Sequence, residues 1–166
     1  MTEIREAKKT DAEAMIALNE RLSRETSFML LEPEEVSSSI ESQTEILQRV
    51  SGSEDECLLV AEQNDRLIGF IVANRRPFSR VRHCFSIVVG VEELCWGEGL
   101  GERLMFEIES WAISKGAKRL ELTVLANNSR AIKLYQSCGF STEGTRRGSM
   151  RVRSKLEDEL YMAKIL

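Results

Sequence analysis

The stretch Val89-Gly90-Val91-Glu92-Glu93-Leu94-Cys95-Trp96-Gly97-Glu98-Gly99-Leu100-Gly101-Glu102 constrains the rest of the chain. An apolar run enters it, an amphipathic pattern leaves it, and glycine stands at positions 97, 99 and 101 between them. Glycine lets a backbone approach a ligand closely and tolerates positive φ. A helix that starts at the last glycines turns its unpartnered N–H groups and the positive end of its dipole toward one point. That is the outline of a phosphate site. A strand–loop–helix junction that is merely rich in glycine is the competing reading. No Gly-Lys-Ser/Thr follows, as a Walker loop requires, and Glu102 stands where a dinucleotide fingerprint needs a small residue.

The flanking segments read as alternating strands and helices. Residues 2–7 suit a short strand. Thr10-Asp11-Ala12-Glu13 has the form of a capping box, opening a helix with Met15, Leu18 and Leu22 on one face. Pro33 suits the first position of a second helix, with Val36, Ile40, Leu47 and Val50 as its buried stripe. Residues 57–61 and 67–73 form two apolar strands around the turn residues Gln63-Asn64-Asp65-Arg66. A basic loop, 74–82, leads to a strand over 83–91 whose nearly continuous apolar half predicts cover on both faces. The helix after the glycines carries Leu100, Leu104, Ile108, Trp111 and Ala112 on one stripe and stops at Lys115-Gly116. A strand over 119–124, a short helix capped by Asn127 or Asn128, and a closing strand pair, 140–144 with 156–166 around a basic turn, complete the chain. The expectation is one α/β domain over 1–166 with mixed strand directions.

Composition narrows the function classes. At 166 residues the chain can bury one good core. A net charge of −4 gives no general attraction to nucleic acid or anionic membranes. No apolar run nears the roughly 18 residues that span a bilayer, and no basic-then-apolar leader opens the sequence. Cys57, Cys84, Cys95 and Cys138 are scattered, and His83 is the one histidine. That spacing argues against zinc and against a disulfide scaffold, so a reduced, cytoplasmic protein is expected.

Two motifs then carry a resemblance. The first is Trp96-Gly97-Glu98-Gly99-Leu100-Gly101. The second is Asn128-Ser129-Arg130-Ala131-Ile132-Lys133-Leu134-Tyr135-Gln136-Ser137-Cys138-Gly139-Phe140. Together they resemble the acetyl-CoA signature Gln/Arg-x-x-Gly-x-Gly/Ala and the Asn-x-Arg-Ala-x-x-Leu-Tyr-x-x-x-Gly-Phe signature of the GCN5-related N-acetyltransferase (GNAT) superfamily. Trp96 departs from the Gln or Arg of the first signature. The resemblance implies a mostly antiparallel, twisted sheet flanked by about four helices. It implies an acetyl-CoA-dependent N-acetyltransferase, with CoA as product, in which a primary amine attacks the thioester directly in a ternary complex. The acceptor is a small amine, a polyamine or a peptide amine. A non-catalytic acyl-CoA sensor is the alternative, and the family allows a homodimer.

The resemblance also assigns residues. Val89 and Val91 lie on the strand that pairs with the pantetheine arm, and the Val91 amide faces the thioester oxygen. Trp96, Gly97, Gly99, Leu100 and Gly101 hold the pyrophosphate. Asn128 and Ala131 border the pantetheine, and Tyr135 is the general acid for the leaving thiolate. Glu121, Glu25 and Glu32 are candidates for the general base, with ordered water as the alternative. Glu25, Phe28 and Glu32 lie on the acceptor side. Acids crowd residues 25–62, where Arg49 is the only base; such a surface suits a cationic amine, or is a solvated helix face. Arg75, Arg76, Arg80 and Arg82, and Arg146, Arg147, Arg151, Arg153 and Lys155, form basic clusters open to the CoA 3′-phosphate, a partner or solvent. Arg103 is placed to offset Glu102 beside the phosphates.

Overall fold

The computed structural model describes residues 1–36 and 39–166. Its elements run β1 (Glu3–Glu6), α1 (Ala12–Glu25), α2 (Ile40–Val50), β2 (Glu56–Gln63), β3 (Arg66–Arg75) and β4 (Cys84–Val91). They continue as α3 (Leu100–Ser114), β5 (Arg119–Leu125), α4 (Ser129–Ser137), β6 (Ser141–Val152) and β7 (Lys155–Ile165). Among the described residues one seven-stranded sheet has the order β1-β2-β3-β4-β5-β7-β6. Every neighbouring pair is antiparallel except β4 with β5. The exception follows from connectivity, because α3 must carry the chain back along the sheet before β5 can pair.

Two cores lie on opposite faces. Leu18, Leu22, Leu47, Val60 and Phe70 pack under α1 and α2. Phe85, Ile71, Leu104, Ile108, Leu120 and Met162 pack under α3 and α4. The β2–β3 turn places Asn64 and Asp65 at φ of 52° and 58°, and the β6–β7 turn places Arg153 and Ser154 at 48° and 65°. Two consecutive left-handed residues match the twist of a hairpin.

Four local expectations change. The first turn before α1 is held by Asp11, not by Thr10 and Glu13. The Asp11 carboxylate accepts the Lys8 N–H at 2.7 Å and also pairs with Arg5 at 2.8 Å; a buried charge with a bidentate partner outcompetes an exposed hydroxyl. Pro33 opens only a short 3-10 turn, Pro33–Glu35, and α2 begins at Ile40 behind a Ser39 cap. Ile40 is exposed and, within α2, Leu47 alone is buried. Strand β6 extends to Val152, so most of the supposed basic turn is strand. The outer half of β4 is not covered on both faces, since Val88 is 50% exposed. Among the described residues no helix is long and apolar enough to cross a membrane.

Candidate active site

The site begins where two parallel strands part. β4 pairs with β3 from Arg75↔Phe85 to Gly69↔Val91, but with β5 only over Cys84↔Arg119, Phe85↔Leu120 and Ser86↔Glu121. From there β5 stays with β7 as far as Leu125↔Glu159. Ile87 to Val91 therefore have no strand neighbour on the β5 side. The Glu92 N–H donates to the Ile68 carbonyl of β3 at 3.0 Å. Backbone groups alternate sides along a strand, so the N–H and C=O of Val91 and Val89 point into the gap. An open edge of this kind is a template for an extended ligand bearing amides.

The loop after β4 is held from several sides. Glu92 is fully buried and paired with Arg21 of α1 and with Arg66 of β3 at 2.9 Å. The Glu93 N–H donates to Glu25 Oε2 at 3.0 Å. The Trp96 indole N–H donates to the Val91 carbonyl at 2.8 Å, so of the Val91 groups facing the gap the N–H remains. Gly97 and Gly99 sit at φ of 80° and 74°, a conformation costly for any residue with a Cβ. Gly101 serves differently: a Cβ there would lie 2.8 Å from Leu134 Cδ2, so this glycine lets α3 abut α4. The first helical bond of α3 runs from the Arg103 N–H to the Gly99 carbonyl at 3.1 Å. The amides of Leu100, Gly101 and Glu102 thus have no acceptor within the helix. Together with the open edge beside them, these donors fit a ligand carrying an amide arm and a pyrophosphate.

Helix α4 supplies the other wall. Asn128 Oδ1 accepts the Ala131 N–H at 3.2 Å, so Asn128 caps the helix with its oxygen and keeps its amide N–H groups available. Ala131 is half-buried against the core. Tyr135 is 7% exposed, with its ring 6.1 Å from that of Phe140. Among the described residues its hydroxyl has no hydrogen-bond partner. Burial, with a smaller contribution from Cys138, pushes the phenol up to about 12. The hydroxyl therefore keeps its proton through the neutral range, as a proton donor must.

The carboxylates fall elsewhere than expected. Glu121 accepts Arg119 at 2.9 Å and Arg76 at 3.0 Å. Burial alone would raise its carboxyl, but those two hydrogen bonds prevail and hold it below the ordinary range. A carboxylate so stabilised is a weaker base, which opposes the base role for Glu121. Glu25 is spent on the Glu93 amide, and Glu32 is exposed at the cap of the 3-10 turn, its N–H bonded to Glu35 Oε2 at 2.9 Å. Phe28 is 38% exposed. Arg103 reaches the Thr2 carbonyl at 3.0 Å and does not offset Glu102. Of the first basic cluster, Arg75, Arg76 and Arg82 are committed to Asp55 or Glu121. Burial raises the Cys95 and Cys138 thiols, which suppresses thiolate chemistry. Arg21, Arg66 and Glu92 escaped sequence reasoning, although an acid directly after an apolar strand is a usable signal. Arg130 escaped it as well.

The model of the acetyltransferase (GNAT) family matches residues 17–140. The chain belongs to this GNAT family. A GNAT-family acetyltransferase of Streptococcus pneumoniae superposes on the whole chain with a TM-score of 0.95 at 30% identity, covering 99% of that structure. The L-amino acid N-acetyltransferase AaaT of Escherichia coli is 28% identical over 111 residues, 64% of this chain and 67% of its own length. A mycothiol acetyltransferase of Jonesia denitrificans is 35% identical over 79 residues, 48% of this chain. This chain matches only 24% of that relative's length. The fold of the chain thus matches that of a solved GNAT acetyltransferase over its full span.

Proposed function

We propose that the chain, acting as one domain over residues 1–166, is an N-acetyltransferase that passes an acetyl group from acetyl-CoA to a primary amine. One observation carries this reading: the unpaired edge of Val89 and Val91 and the free amides of Leu100, Gly101 and Glu102 flank one loop, which Trp96 ties back to the Val91 carbonyl at 2.8 Å. The N–H and C=O of Val89 would bond the pantetheine amides, and residues 97–102 the pyrophosphate. Bound there, acetyl-CoA supplies the activated acyl group.

The remaining work falls to the protein's own groups. The Val91 N–H would stabilise negative charge that develops on the thioester oxygen. The Tyr135 hydroxyl, which keeps its proton, would protonate the departing sulfur, whose thiol has a pKa of about 8.5. The incoming ammonium, with a pKa of about 10.4, must lose a proton. With Glu121 clamped by arginines and Glu25 by an amide, that proton leaves through solvent in the parted strands. One relative carries a name that specifies N-acetylation of an L-amino acid, which supports a small amine here. The test is release of free thiol from acetyl-CoA across a panel of amino acids, polyamines and peptides. Turnover with at least one amine is expected. Tight CoA binding with no turnover on any amine would overturn the reading.

A further inference from the structure

We propose that Arg130, held against the ring of Trp96, is the cation that receives the pyrophosphate of CoA; the inference rests on the proposed function and names a contact for that same site. Residues 92–102 include no lysine or arginine, yet they carry Glu92, Glu93, Glu98 and Glu102. Glu92 is neutralised by Arg21 and Arg66. Glu98 and Glu102 stay exposed beside the free amides of the loop. A doubly charged phosphate placed among them meets repulsion unless a cation stands near. Arg103, the nearest in sequence, is turned to the Thr2 carbonyl.

Arg130 stands in its place. It is the second residue of α4, and its guanidinium lies 4.5 Å from the centroid of the Trp96 ring. Trp96 immediately precedes Gly97 and is itself fixed by its indole bond to Val91. The stack uses the guanidinium's face and leaves its N–H donors unspent: among the described residues no carboxylate, carbonyl or hydroxyl is bonded to them. A charge that is positioned but unpaired, at the mouth of an amide loop, is what a bidentate phosphate contact requires. The same stack explains a tryptophan at the start of this loop, since its ring replaces a local cation with one delivered from α4.

Calorimetric titration of CoA, 3′-dephospho-CoA and pantetheine tests this, with melting curves to verify folding. Arg130→Ala is expected to weaken CoA and 3′-dephospho-CoA by a similar factor of about tenfold or more, and to leave pantetheine unchanged. Lys133→Ala, which removes a charge one turn away but nothing from the ring, should weaken CoA less. Trp96→Leu should weaken CoA too, and adding Arg130→Ala to it should cost little more, because the stack is already gone. Unchanged CoA affinity in Arg130→Ala would overturn the inference. So would a loss confined to CoA and absent with 3′-dephospho-CoA, or fully additive effects of the two substitutions. Absence of CoA binding by the unsubstituted chain would instead overturn the proposed function, and the inference with it.

Discussion

The proposed cofactor side and the proposed acceptor side of this molecule are built on different terms. From β4 through α4, the residues of the site are fixed by backbone geometry or by buried partners. Gly97 and Gly99 have positive φ, Gly101 lies against Leu134, Asn128 caps α4, and Glu92 is locked between Arg21 and Arg66. Between α1 and α2 the described residues obey few such rules. Phe28, Leu30 and Leu31 are exposed at 38%, 79% and 47%. The cofactor side therefore reads as fixed chemistry, and the acceptor side as a surface whose side chains can vary without cost to the fold. Among the described residues Arg21 bonds to Glu92 and Glu25 to the Glu93 amide across the two sides.

The largest effect that would test this contrast comes from Tyr135. Tyr135→Phe should lower kcat by about a hundredfold, the scale of general acid catalysis, while CoA affinity stays within a few-fold. Unchanged turnover would remove the acid role. Next, Gly99→Val forces a branched side chain to φ of 74° and should weaken CoA by about tenfold through backbone strain. Calorimetry checks it, and unaltered binding would break the claim that loop geometry sets affinity.

A third test uses pH. The folded state holds the Tyr135 proton more tightly than an unfolded chain does, so that contribution to stability is complete below about pH 10. It is lost as pH rises toward about 12. The parent should therefore lose more stability over this range than Tyr135→Phe does, as read by denaturant unfolding. Smaller still is Glu121→Gln. If the carboxylate only pairs with Arg76 and Arg119, kcat falls by less than about tenfold, against the ~10²–10⁴ expected for a general base. On the acceptor side, Leu30→Ser should leave CoA affinity unaltered and shift only the amine KM.

Those two sides also differ in how far the sequence disclosed them. The strand–loop–helix at 89–102 and the capped helix at 128–137 were legible because glycine, asparagine and helical spacing each answer to local geometry. The β2–β3 turn and the stop at Lys115-Gly116 were readable for the same reason. The rest depends on partners that only the packing of side chains and strands selects. Asp11 won the α1 entry through Arg5, a pairing that only the β1–α1 packing creates. The surroundings of Glu121 are likewise set by the sheet, which brings Arg76 to it beside Arg119. Arg130 and Trp96 stand 34 residues apart by their numbering, and no local pattern announces a cation on a ring. The length of β6 depended on β7 as its partner, since an exposed polar strand has no apolar alternation to reveal it.

A crystal structure of the chain with CoA tests the central claim most directly. The account predicts pantetheine amides bonded to the backbone of Val89, the thioester end at the Val91 N–H, and the pyrophosphate on the amides of residues 97–102. CoA bound elsewhere, with the edge of β4 bare or the pyrophosphate away from that loop, would contradict it.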